Sequence, residues 1–159
     1  MDPGDTAHIE RLLSDLKRSD ESVREQATAG LWHLWFHQKG VHGAQQLMQA
    51  QSFLDAGQVG QCESLLTNIL DVQPDFAEAW NRLAVLHFMQ KDYWRAVADC
   101  QKVIDLVPYH FGALHGLGLS HRALGNYVAA IQSFRKALDV QPYALVNQRL
   151  VLECTAKLE

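Results

Sequence analysis

An all-α chain built from repeated helical hairpins is what this sequence predicts, and three observations carry the expectation. Pro74, Pro108 and Pro142 stand 34 residues apart. Small side chains recur in the same register, at Ala50, Ala84 and Gly118 and again at Cys62, Ala96 and Ala130, where two helices must approach closely. Larger apolar residues recur with them, Leu66, Cys100 and Phe134, then Ile69, Val103 and Ala137. No strand-like alternation survives between the prolines.

With the proline at position 32, the units are residues 43–76, 77–110 and 111–144. Each should be a hairpin of two helices. The turns fall at Gly57, at Lys91 with Asp92, and at Gly125 with Asn126, and Tyr93 and Tyr127 open the second helix of two units. A 34-residue period with small residues at positions 8 and 20 and proline at 32 resembles the tetratricopeptide repeat family. The resemblance covers residues 43–144 and implies a right-handed superhelical stack, a TPR solenoid. Position 4, usually a large residue in the family, is Gln46, Trp80 and Leu114, so the first unit is the most degenerate. Position 11, commonly aromatic there, is Phe53, His87 and His121. The two histidines are read as packing residues, each with one ring nitrogen reaching a backbone carbonyl.

Residues 1–42 read as an N-terminal helical cap or a decayed repeat. Ile9, Leu12, Leu13 and Leu16 have helical spacing, and a second helix runs through Val23, Ala27, Leu31, Leu34 and Trp35 to a stop at Lys39 and Gly40. Ser22 and Glu25 have capping-box spacing. Extending the register backwards puts Thr28, Trp32, Trp35 and Gly40 at positions 20, 24, 27 and 32. The Trp pair suits a cap sealing the open end of the stack, which otherwise leaves an apolar face in water. The stretch from Gly30 to Gly40 is faintly similar to a segment of short tetratricopeptide proteins of bacteria and plant plastids. Residues 145–159 form a capping helix carrying Leu145, Leu150, Val151 and Leu158, with Asn147, Gln148, Arg149, Glu153 and Lys157 facing water.

Composition narrows the function classes. The 159 residues are 48% apolar, enough for a sizeable core in one domain. No apolar run reaches the length of a membrane span, and no secretion signal is recognised. Cys62, Cys100 and Cys154 are too widely spaced for a disulfide frame or zinc site and read as buried hydrophobes. The expectation is a soluble protein of a reducing intracellular compartment, cytoplasm or plastid stroma. A formal net charge of −4 without a basic block weighs against nucleic acid. Arg18, Arg24, Arg82, Arg95 and Arg122 are too scattered to support the rival reading of an RNA-associated repeat. His33 and His37 have metal-ligand spacing, with His42 nearby, and support the other rival, a metal-binding protein. The HExxH pattern, a GxSxG nucleophile, a phosphate-cradling loop and a paired acid and base are all missing from the sequence. No catalytic residue, metal or cofactor is assigned.

The expectation is a non-enzymatic interaction module, scaffold or assembly factor. The resemblance implies a concave groove lined by repeat positions 2, 5, 6, 9, 12 and 13. The partner-binding set is Gln51, Asn81, Arg82, Val85, Phe88, Met89, His115, Leu119 and Arg122. Asn81 and Arg82 offer hydrogen bonds to an extended peptide or a carboxylate, above an apolar floor of Val85, Phe88, Met89 and Leu119. Self-association stays open. Family members that hold acidic chaperone tails use a carboxylate clamp, and its positions are occupied here by Leu47, Gln51, Arg82, Gly112 and Gly116, which lack its charges. Gly112 and Gly116 instead leave a side-chain-free stretch that a partner helix could approach.

Overall fold

A computed structural model describes residues 3–159. Among them nine helices and no strand follow one another: α1 (Pro3–Asp15), α2 (Glu21–Phe36), α3 (Gly40–Asp55), α4 (Val59–Val72), α5 (Ala77–Met89), α6 (Tyr93–Leu106), α7 (Phe111–Ala123), α8 (Tyr127–Val140) and α9 (Leu145–Ala156). From α3 to α9 each helix packs on the next, forming a solenoid of hairpins.

The hairpins reverse at the same point in each unit. Gly57, Lys91 and Gly125 have φ of 74°, 62° and 78°. The following N–H, of Gln58, Asp92 or Asn126, donates to the carbonyl of Phe53, His87 or His121 at 2.8, 2.9 and 2.9 Å. A left-handed residue thus satisfies a helix-end carbonyl while turning the chain. Glycine does so freely, whereas Lys91 bears the β-carbon clash. The small positions behave as their size requires: Ala84 and Ala96 are buried, and a β-carbon on Gly118 would collide with the Phe134 ring.

Two histidines sit differently from expectation. His87 is buried and offers both ring nitrogens to carboxylates instead of a backbone carbonyl: Nδ1 lies 2.5 Å from Asp99 Oδ2 and Nε2 3.0 Å from Glu63 Oε1. Burial holds the Asp99 carboxyl above its usual range despite the His87 hydrogen bond. His121 Nδ1 is buried without a hydrogen-bond partner, and desolvation pulls the His121 pKa down.

The N-terminal helices do not seal the end of the stack. The face of each first helix that meets the preceding unit carries Ala79, Leu83 and Leu86 on α5, Ala113, Leu117 and Ser120 on α7, and Asn147, Val151 and Cys154 on α9. On α3 the matching residues are Gln45, Gln49 and Ser52, all exposed. The start of the solenoid is polar and needs no lid. Instead α2 lies across the turns between units. Gln38, just past it, donates to the Asp75 carbonyl and accepts from the Ala77 N–H. Trp35 stacks on His110 with centroids 3.9 Å apart, and Trp32 meets Phe111 edge-on at 5.3 Å. Gln141 donates to Thr28, and the Arg24 guanidinium lies 4.1 Å from the Tyr143 ring centre. Leu12, Leu16, Ala27, Leu31, Trp35 and Phe111 form the shared core of this brace. Its N-cap is Asp20, which accepts from the Ser22 and Val23 N–H groups, in place of the expected Ser22 and Glu25 box.

At the other end α9 buries Leu150 and Cys154 against Ala130, Ile131 and Phe134. Asn147, expected in water, is buried with its Oδ1 2.6 Å from His115 Nδ1. Leu145 and Leu158 are exposed.

Candidate partner groove

The first helices α3, α5 and α7 present the sequence-derived binding residues, and the structure divides them between two jobs. Arg82, Asn81 and Gln51 belong to a buried polar network. Glu78 is buried. Its Oε1 accepts from Arg82 Nε at 3.3 Å and Asn81 Nδ2 at 3.4 Å, and Oε2 lies 3.2 Å from His110 Nε2. His110 Nδ1 accepts from the Ala113 N–H at 3.1 Å. That nitrogen therefore carries no proton, so Nε2 does, and it donates to Glu78. Arg82 also donates to Gln51 Oε1 at 2.9 Å, and Gln51 donates to Asp55. A carboxylate out of water is tolerated only when its oxygens are paired, so Arg82 holds the fold together before it can hold a ligand. The sequence signal for this role was the acid at Glu78, four residues before Arg82, with His110 supplied from the next turn.

The second group forms a recess of about 210 Å³ between α5 and α7. Ala84, Cys100, Gly112 and Gly116 make its small-residue floor, and Val85, Phe88 and Leu119 rise around it. Val85 and Met89 are exposed, and Phe88 is steadied edge-on by Tyr93 at 5.3 Å. Polar groups here are few: Asn81, His115 and Ser120. Ser120 donates to the Gly116 carbonyl and His115 is bonded to Asn147, so most of their capacity is used. Cys100 beneath is inert, its thiol pushed up to about 12, chiefly by burial and then by the Asp99 charge. Arg122 is not among the lining residues and lies 3.3 Å from Glu153.

Gly112 lines the recess but is not open to the close approach of a partner helix that the sequence alone indicates. A β-carbon there would stand 2.5 Å from Trp32 Cη2 and 3.0 Å from Cζ2. The helix that approaches this glycine is the chain's own α2. The brace thus closes the groove along the inter-unit turns, while Gly116 beyond it stays open, with only Cys100 Sγ at 3.3 Å. A second recess of about 220 Å³ between α3 and α5 is walled by Trp32 and Arg82. A larger cavity, about 490 Å³, lies elsewhere, between α2 and the Gln141–Ala144 turn, with Glu21, Arg24 and Glu25 at its edge. The groove recess remains the better candidate because two repeat units build it and its walls are apolar. His33 and His37 have ring centres 4.2 Å apart, and no three metal-ligating side chains converge among the described residues.

Residues 47–111 match one description of the tetratricopeptide repeat and residues 111–144 a second. The chain belongs to the tetratricopeptide repeat family. A TPR repeat-containing protein of Rhizobium etli is 28% identical over 151 residues, which cover 94% of this chain and 74% of that protein. The BBSome complex member BBS4 homolog of Drosophila melanogaster is 23% identical over 121 residues, 76% of this chain and 24% of that protein. The chain therefore spans most of the first relative and about a quarter of the second. Among solved structures, MamA aligns with TM-score 0.68 at 20% identity over 99% of this chain and 85% of that one. Its alignment takes in the N-terminal helices. The first TPR of Spaghetti (RPAP3), bound to the HSP90 peptide SRMEEVD, aligns with TM-score 0.67 at 17% identity over 70% of this chain and 88% of that one. These likenesses establish the fold. No described helix is long and apolar enough to cross a membrane.

Proposed function

We propose that the chain is a non-catalytic interaction module or assembly scaffold that takes a protein or peptide segment into the recess between α5 and α7, anchored by one large apolar side chain. The observation that carries this reading is the recess itself: a floor of Ala84, Gly112 and Gly116 beneath Val85, Phe88 and Leu119. Its volume of about 210 Å³ is below the range of about 300–1,000 Å³ for small-molecule and cofactor sites, and suits a single buried anchor. TPR structures that hold chaperone segments, the RPAP3 domain with its HSP90 peptide and TPR2B of yeast Sti1 with Hsp70, support peptide capture as the reading for this groove. Their acidic ligands do not suit this groove. Leu47, at a position where the chaperone-tail clamp requires a cation, is fully buried, Gly112 and Gly116 carry no side chain, and Arg82 already neutralises Glu78.

Phe88→Ala and Val85→Glu test the reading because both positions line the recess without touching the Glu78 network. With a partner captured on the immobilised chain and then titrated calorimetrically, each should weaken binding by at least about 1–2 kcal/mol. Gln101→Ala and Gln132→Ala, on exposed second-helix positions, should leave it unchanged. The reverse pattern places the partner on the convex face and removes the groove assignment.

A further inference from the structure

The interaction surface leaves one histidine pair unused. His33 lies in the last turn of α2 and His37 is its C-cap, so the two are four apart at one helix end and their rings project from one face. Both are exposed. Their ring centres stand 4.2 Å apart with the planes tilted by 40°, and among the described residues neither ring makes a hydrogen bond. His87, His110 and His115 differ, since each commits a ring nitrogen to a carboxylate or amide oxygen. The electrostatics at this end of α2 favour a cation. Its last carbonyls carry the negative end of the helix dipole. The neighbouring positive side chains are already paired, Lys39 with Asp75 at 2.7 Å and Arg82 with Glu78 at 3.3 Å.

We propose that His33 and His37 form a chelate for a divalent late-transition cation, copper(II) or nickel(II). The ring separation selects between metals. In an ion held by two ring nitrogens at about 2.0–2.1 Å, each ring centre stands about 3.2 Å from the metal, so the centres are about 4.5 Å apart at a bond angle of about 90° and about 5.2 Å apart at about 109°. The observed 4.2 Å fits the first arrangement to within a few tenths of an ångström, whereas the second requires the rings to part by about 1 Å. The smaller angle belongs to the square and octahedral ions copper(II) and nickel(II), and the larger to tetrahedral zinc. Two imidazoles fill only two positions, and water holds the others in the isolated chain. They open beside a recess of about 340 Å³ that the pair shares with Trp32, Phe36, Glu78 and Arg82. The site has no residue in common with the α5–α7 recess, so the two readings stand or fall separately.

Calorimetric titration of the full chain with nickel chloride, and separately with copper(II) chloride and zinc chloride, tests the proposal. The expected result is one saturable site with nickel bound more tightly than zinc and copper(II) more tightly than either. His33→Ala and His37→Ala should each weaken nickel binding at least about tenfold. His42→Ala, at an exposed histidine of α3, should leave it unchanged. Because both members of the pair are exposed, the variants without metal should match the parent in helical content and thermal midpoint, which confirms that they are folded. Nickel should raise the thermal midpoint of the parent as the site saturates and leave that of either variant where it was, because the folded helix holds the two rings together and the unfolded chain does not. Single variants that keep the parent's affinity, zinc bound more tightly than nickel, a loss of binding in His42→Ala, or a parent midpoint that nickel does not move would each overturn the proposal.

Discussion

Gly112→Ala should destabilise this protein, although an alanine replacing glycine in a helix normally stabilises it. Two effects compete. Removing glycine from a helix gains about 0.5–1 kcal/mol, and less near the first turn, where Gly112 sits. Against it, the new methyl would stand 2.5 and 3.0 Å from the Trp32 ring and 3.2 Å from His110 Cε1. Trp32 cannot swing away freely, because Trp35, His110 and Phe111 hold it edge-on at 5.1, 5.4 and 5.3 Å. Overpacking of this kind costs about 1–3 kcal/mol, so the net is a loss of about 0.5–2.5 kcal/mol. Trp32→Ala alone should cost about 2 kcal/mol, below the range for a fully buried tryptophan because the ring is half-buried. The decisive construction is the cycle. In the Trp32→Ala background the obstacle is gone, and Gly112→Ala should become neutral or stabilising, a coupling of at least about 1 kcal/mol between residues far apart in sequence. Urea unfolding followed by far-ultraviolet circular dichroism measures all four proteins without depending on tryptophan fluorescence. Equal effects of Gly112→Ala in both backgrounds would falsify the placement of α2 against α7.

Three further outcomes follow from the same geometry. Lys91→Gly should stabilise the second hairpin by about 0.5–1 kcal/mol by relieving the left-handed backbone at φ 62°, read as a higher thermal midpoint; a lower midpoint would mean the side chain contributes more than the strain removes. Burial raises the Asp99 carboxyl, so the folded chain holds that proton more tightly than the unfolded chain does. The stability linked to it is complete below the unfolded value near 3.9 and is lost as pH rises through the folded value. The stability of the parent relative to Asp99→Asn should therefore fall as pH climbs from about 4 towards 7, and a rising difference contradicts it. Burial likewise raises Cys62, Cys100 and Cys154, so iodoacetamide at neutral pH should label none of them appreciably in the native protein and all three in urea, as counted by mass spectrometry.

The repeat is legible in the sequence because each unit solves the same packing problem with the same residues. Proline every 34 residues, small side chains at positions 8 and 20 and turns at Gly57, Lys91 with Asp92 and Gly125 with Asn126 specify hairpins from local chemistry alone. The groove recess is equally legible, since Val85, Phe88 and Leu119 fall on first helices whose orientation the period dictates. The roles of Arg82 and Asn147 are not. Whether an arginine or asparagine faces solvent or a buried polar group depends on what other helices and turns bring to it: Gln51 of α3 and His110 of the turn before α7 complete the network of Glu78 and Arg82, and His115 of α7 meets Asn147.

What the sequence determined by itself is the class of element: helices throughout, paired in register, with an apolar stripe of Leu31, Trp32 and Trp35 that has to be buried somewhere. Tertiary structure alone decided where. An amphipathic helix states how much surface it must hide and not against what. The polar start at Gln45, Gln49 and Ser52 refuses it, while the turns offer His110 for Trp35 to stack on, Phe111 to pack against and, at Gly112, a backbone without a side chain where the Trp32 ring fits. The helix therefore lies across the units and narrows the groove, because an aromatic ring gains its full burial only where the opposing surface has both apolar walls and room.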